Sequence, residues 1–324
     1  MSNNKKDKVD LFDNLKLTKD NCFICGDELN SSNKTQEHVF PQWLLHKFDL
    51  WDHTLTLLND TPIEYFQIKI PCCKTCNTGK LSDIERHVSS VVTKGFSHLN
   101  EIDDLTLVSW MLKISLGIQY KEMYLKNDRS DKKSASITDE DWLQKLKITT
   151  TIMRSVYEGI KMIGKSWSLL KFHLKNVQEK DNFDFQDLVY QNTIIMRMND
   201  IGLVLIYDDA NITEKYFLNY EPHKNIYKRS INIIEYYEVA TILTYTWTLF
   251  EYIPKYMLIK NKNSDKVNTL ITMQIPSYVP LTYQWNDREF NILFSKVLGA
   301  YGIRYEDLLD FDSGKRLSFV KELL

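Results

Sequence analysis

Glycine is scarce in this chain, 10 in 324 residues, and the scarcity excludes whole classes of chemistry. Phosphate-cradling P-loops and dinucleotide-binding turns need glycines at fixed offsets, and neither pattern occurs; nor does a serine-nucleophile elbow. An excess of one charge is also missing, since 41 Lys and Arg stand against 43 Asp and Glu, a formal net charge of −2. Global electrostatics therefore do not mark a nucleic-acid binder, and any such affinity has to come from a local patch or a bound cation. There is no long hydrophobic run. The most apolar stretch, residues 239–250, carries four threonines and is followed by Glu251, which is too short and too polar for a bilayer span. Residues 1–10 are polar and no secretory hydrophobic segment follows them, so a soluble cytoplasmic protein without a membrane partner is expected. Cysteine is absent from every position after 76. What remains is ample for folding: 43% hydrophobic and 12% aromatic residues exclude a disordered chain and supply real cores.

The five cysteines lie between Cys22 and Cys76, and four of them form two C-x2-C pairs, Cys22/Cys25 and Cys73/Cys76. That spacing turns two thiolates toward one ion, and two such knuckles complete a four-cysteine zinc site. Cys72 allows a competing Cys72-x3-Cys76 pairing, but Cys73 reproduces the spacing of the first knuckle. Thiolates free to take a metal fit a reducing compartment. Two plainer readings stand beside this one: incidental buried thiols, and a structural zinc with no chemistry nearby.

The residues held between the knuckles include Glu37-His38-Val39-Phe40-Pro41, and the second knuckle runs directly into Asn77, followed by Lys80 and Glu85. In order, spacing and residue type, the segment from Cys22 to Glu85 resembles the HNH endonuclease family, whose pattern is C-x2-C, then Asp/Glu-His-Ile/Val-x-Pro, then C-x2-C followed by Asn or His. The resemblance implies a ββα-metal finger that hydrolyses phosphodiester bonds with a divalent ion. Carried over residue by residue, it implies His38 as general base, Glu37 and Asn77 as ligands of Mg²⁺ or another divalent ion, and Cys22, Cys25, Cys73 and Cys76 on a structural Zn²⁺. The family's middle Asn has no clear counterpart: Gln67 stands near its expected place and Asn59 lies farther back. Glu85, eight residues after Asn77, is two helical turns along the same face and suits either a further metal ligand or an ordinary helix carboxylate. The roles are chemically sound, because a near-neutral imidazole can take a proton from water and a hard cation prefers oxygen ligands. One geometric tension remains: neighbours on a strand face opposite ways, so Glu37 and His38 cannot share a site from one regular strand.

Lys69, Lys74, Lys80, Arg86 and Lys94 cluster around the second knuckle with only Asp83 and Glu85 opposing them. Such a face suits phosphate contact, with Lys69, Lys74, Lys80 and Arg86 as the candidates, and a solvated helix face looks the same. His53 and His87 carry no pattern of their own.

The expected fold class is α+β in three parts: a charged lead-in at 1–20, the HNH-like domain at 21–98, and a larger mixed domain at 99–324. In the last part, apolar periodicity predicts helices over 104–126 and from Thr138 to about 163. Strands are expected over 166–207 with a hairpin turning at Asn199-Asp200, then a buried helix near 235–256, whose β-branched content leaves strand open, and a capped helix at 287–298. Two strands, at 54–58 and 63–70, and a helix over 77–92 are expected in the second part. The function expected from the resemblance is DNA cleavage, in a host-defence or mobile-element setting by family analogy. Residues 99–324 would then serve targeting, sensing, self-association or a partner protein. The alternatives are a zinc-stabilised nucleic-acid-binding module without cleavage, and a structural protein-interaction scaffold.

Overall fold

Short strands and turns come first along the chain, and long helices follow. The computed structural model describes residues 17–137, 142, 147–159, 161–178, 182–251, 254–260, 266–272, 282–310 and 313–320. Helix and strand are mixed throughout, an α+β chain. It divides into two compact units, one of residues 1–94, 98–163 and 258–268, the other of 95–97, 164–257 and 269–324. Among the described residues no helix is long and apolar enough to cross a membrane.

In the first unit, β1 (Lys34–His38) is followed by the short helix α1 (Gln42–Lys47), which starts directly after Pro41. Then come β2 (Thr54–Thr56), β3 (Pro62–Glu64) and β4 (Lys69–Cys73). β2 and β3 form a small hairpin. β1 and β4 pair antiparallel, setting Glu37 opposite Ile70 and His38 opposite Lys69. The strand expected over 63–70 is broken by a 3₁₀ turn at Tyr65–Gln67, so that β3 and β4 serve different sheets. After Cys73 the chain winds through a π-helical turn, Cys76–Leu81, into α2 (Ser82–Lys94).

α3 (Asp104–Glu122) is the centre of this unit, and every residue from 107 to 120 is buried. A helix apolar all round has to sit inside a core. The Asp103 carboxylate caps its N-terminus, accepting from the Thr106 N–H at 2.9 Å. Gly117 lets α3 approach the chain just past β1: a Cβ there would lie 2.7 Å from Val39 Cγ2. α4 (Lys147–Tyr157) packs along α3, and Ser109 donates to the Met153 carbonyl at 2.5 Å. It is followed by β5 (Lys161–Ile163), paired in parallel with residues 266–268. The helix expected from Thr138 to about 163 thus ends at Tyr157, and Thr138 lies outside the described residues. The boundary expected after residue 98 does not coincide with the division into units, because α3 and α4 bury the apolar side of the β1–β4 region.

The second unit holds a four-stranded antiparallel sheet in the order β6-β9-β8-β7, built from β6 (Trp167–His173), β7 (Phe183–Leu188), β8 (Thr193–Met198) and β9 (Ile201–Tyr207). The β8–β9 hairpin turns at Asn199, which adopts φ 52°, a conformation Asn tolerates better than most residues. α5 (Ile212–Asn219) and α6 (Glu221–Tyr227) lead to α7 (Ile233–Thr248), buried from Glu235 to Trp247. An Asn232–Glu235 capping box starts α7. Its β-branched residues do not prevent a helix, because the surrounding core decides where local propensity is weak. β10 (Lys255–Lys260) and β11 (Lys266–Thr272) precede α8 (Asp287–Val297), capped by Asn286.

Candidate active site and metal centre

Two loops deliver the cysteines. Cys22 and Cys25 flank a tight turn that closes when the Gly26 N–H donates to the Cys22 carbonyl at 2.8 Å, with Gly26 at φ 73°. Cys73 ends β4, and Cys76 opens the π-helical turn. The Sγ atoms of Cys22, Cys25, Cys73 and Cys76 all lie within 4.8 Å of one another, and Cys25 and Cys73 are 3.8 Å apart. Zn–S bonds of about 2.3 Å in a tetrahedron require S···S separations of about 3.8 Å, so the four thiols can hold an ion such as zinc. Cys72 lies outside this set, although its Sγ is 3.9 Å from that of Cys22. None of the five cysteines is in a disulfide.

The electrostatics favour a cation. Cys22 is pushed far down by the thiols of Cys25, Cys72 and Cys76 that surround it. Cys25 and Cys76 are pushed up, first by their hydrogen bonds to Cys22. A divalent cation would draw off the thiol protons and favour the thiolate form of the cluster. Arg154 of α4 lies buried beside the cluster, donating through Nε and Nη2 to the Phe23 carbonyl at 3.1 and 2.8 Å. Burial lowers its pKa to about 10, against the pull of the Cys22 and Cys25 charges. Its Nη1 is buried with no hydrogen-bond partner. A four-thiolate zinc centre would be a net anion, and the buried Arg154 guanidinium would supply a counter-charge.

A cleft of about 620 Å³ opens beside this centre, lined among others by Glu37, His38, Asn77, Glu85 and Arg86. β1 carries Glu37 and His38, the π-helical turn carries Asn77, and α2 carries Glu85. Glu37 and His38 nonetheless both line the cleft: His38 is the last residue of β1, and α1 starts directly after Pro41, three residues on. Asn77 ties the two segments together, its Nδ2 donating to Thr35 Oγ1 and to the Gln36 carbonyl, both at 3.1 Å. The His38 pKa is lowered by burial first, then by the Lys69 and Lys113 charges; its Nδ1 is buried without a hydrogen-bond partner. Glu85 is raised, mainly by burial and against the pull of Lys113, with Glu37 adding to the rise.

Lys113 is the residue that sequence reasoning missed. It comes from α3, has no exposed side-chain surface, and drives its ammonium under the cleft. Nζ lies 3.3 Å from Glu37 Oε1 and 3.0 Å from Glu85 Oε1, and donates to the carbonyls of His38 at 2.7 Å and Val39 at 3.2 Å. The carboxylates hold its pKa above the usual lysine value despite complete burial. The signal was available: Lys113 is the sole charged residue between positions 105 and 120, and an isolated charge on a helix apolar all round demands a buried partner.

The other candidates scatter. Gln67 is exposed, donates to Glu64 and does not line the cleft. Asn59 sits in the β2–β3 turn, donating to the Lys126 carbonyl at 2.6 Å. Arg86 lines the cleft and pairs with Asp83 at 3.3 Å. Lys80 pairs with Glu158 at 2.5 Å, Lys69 lies opposite His38 in the sheet, and Lys74 is exposed. No protein-family model, curated protein or solved structure matches the chain.

Proposed function

We propose that the chain is a metal-dependent endonuclease of the HNH type, with nucleic acid, DNA first, as substrate. The observation that carries this reading is the convergence of Glu37, His38, Asn77 and Glu85 on one cleft beside the four-cysteine cluster. Two paired antiparallel strands followed by a helix agree with the finger that the sequence resembles. Glu37, Glu85 and the Asn77 amide form an oxygen donor set that suits Mg²⁺ or Mn²⁺. When bound, such an ion would neutralise the scissile phosphate and its leaving oxygen. His38, whose lowered pKa keeps the imidazole neutral near pH 7, takes the proton of the attacking water. Arg86 at the cleft edge contacts a neighbouring phosphate. The zinc is structural, held by Cys22, Cys25, Cys73 and Cys76.

Lys113 favours a second reading, binding without cleavage, because its ammonium already neutralises part of the Glu37–Glu85 charge. Incubation of purified protein with plasmid DNA and RNA in Mg²⁺, Mn²⁺ or Ni²⁺ separates the two. Cleavage that disappears in His38→Ala, with zinc content and thermal melting unchanged, supports the nuclease. Retarded migration of uncut nucleic acid in all three metals supports the binding module instead.

A further inference from the structure

The second unit contains a cavity of about 400 Å³ that plays no part in the chemistry above. Its rim concentrates exposed aromatic surface. Ten large hydrophobic side chains are exposed among the described residues, and four of them line this one cavity: Tyr216, Tyr220, Tyr283 and Trp285, between 41% and 60% exposed. Solvent-facing rings gathered around one hollow mark a binding site rather than ordinary surface.

The rings are held from behind. Trp285 packs edge-on against Tyr245 with centroids 4.8 Å apart and lies 5.1 Å from Phe290, while its Nε1 donates to Asp287 at 2.8 Å. Tyr283 is anchored through its backbone N–H, which donates to the Leu249 carbonyl at 2.8 Å. Tyr220 meets His223 edge-on at 4.8 Å, and His223 stacks on Phe217 at 4.3 Å. A ligand would therefore find flat faces already oriented, with little ordering cost on binding.

The polar inventory narrows the ligand. Among the described residues, no carboxylate or side-chain amide lines the cavity, which argues against sugars, whose hydroxyl arrays need those groups. Arg316 reaches the wall, but its charge is spent: it pairs with Glu238 at 2.8 Å and Asp287 at 3.6 Å and lies over the Phe290 ring at 4.8 Å. Among the described residues, the cavity thus has no unpaired cation for a phosphate. What it offers is aromatic surface, the hydroxyls of Thr246 and Thr282, and the imidazole of His223. Flat apolar faces with a few donors and acceptors match the face and edge of a nucleobase, and the volume suits a small ligand rather than a polymer groove.

We propose that this cavity binds a nucleobase, presented by a free nucleotide or by an unpaired base of a single strand. The site is independent of the cleft at Glu37 and His38, so it stands or falls separately from the nuclease reading. Isothermal titration of the full-length protein would use adenosine, guanosine, cytidine and uridine, the corresponding triphosphates, a short single-stranded DNA in EDTA, and ribose 5-phosphate. At least one nucleoside is expected to bind saturably, its triphosphate no more than severalfold tighter, and ribose 5-phosphate not at all. Trp285→Ala and Tyr283→Ala, both at exposed positions, should each weaken binding about tenfold, and Trp285→Phe should recover most of it. Tighter binding of the oligonucleotide than of any mononucleotide, lost in Trp285→Ala, identifies an unpaired base as the source; the reverse order identifies a free nucleotide. The proposal is overturned if no nucleoside binds at millimolar concentration. It is equally overturned if ribose 5-phosphate binds as well as the nucleotides, or if Trp285→Ala binds like the parent chain.

Discussion

Lys113 places a fully buried ammonium against two carboxylates and two carbonyls. A lysine without water is tolerable only when such partners replace its hydration. Removing it would leave Glu37 and Glu85 adjacent and uncompensated. Lys113→Met is expected to lower stability by about 3–5 kcal/mol, and adding Glu85→Gln should recover part of the loss; urea denaturation of the single and double variants measures the coupling. Glu122 illustrates the opposite case. Its Oε1 accepts only from the Leu58 N–H at 3.0 Å and its Oε2 is buried without a partner, so burial raises its pKa from 4.5 to about 7. A carboxyl whose folded pKa is raised stabilises the fold fully below the unfolded value and loses that contribution as pH rises through the folded one. Stability should therefore fall by about 3 kcal/mol between roughly pH 4.5 and 7 from this residue alone. Glu122→Gln should remove that slope, as thermal melts across the interval can test.

At the scale of elements, the first unit joins secondary structure that is too short to stand alone. β1 and β4 are five residues each, and β2 and β3 three. Two-stranded pieces of this kind have little independent stability. A metal across Cys22, Cys25, Cys73 and Cys76 and close packing on α3 supply what they lack. Cys25→Ser and Cys76→Ser should each release the metal and lower the melting temperature, whereas Cys72→Ser should keep a one-to-one metal content; metal analysis of the purified variants decides. Retained zinc in the first two would sink the four-cysteine assignment. Packing on α3 has its own test at Gly117. A methyl there would meet Val39 at 2.7 Å, so Gly117→Ala is expected to cost about 1–3 kcal/mol by overpacking and to shift the strand end that carries His38.

For the whole molecule, the unit that contains the cleft is larger than the segment that carries the motifs. A fragment ending at residue 98 lacks Lys113 and Arg154, the buried cations facing the cleft carboxylates and the cysteines. Such a fragment should show no cooperative thermal transition by circular dichroism; a sharp melt would show that α3 and α4 are dispensable. Local signals were enough for much of the rest. The knuckle spacing marked Cys22, Cys25, Cys73 and Cys76, and α3, the β8–β9 turn and the Asn286 cap followed from periodicity and capping residues. These features are local in the chain, which is why sequence alone determined them. Tertiary structure decided the others: that the two knuckles come together, that Gln67 does not line the cleft, and that Lys113 and Arg154 reach the motif region from helices beyond it. The reason is that each of these depends on contacts between residues far apart in the chain, where burial and charge compensation, not spacing, select the partner.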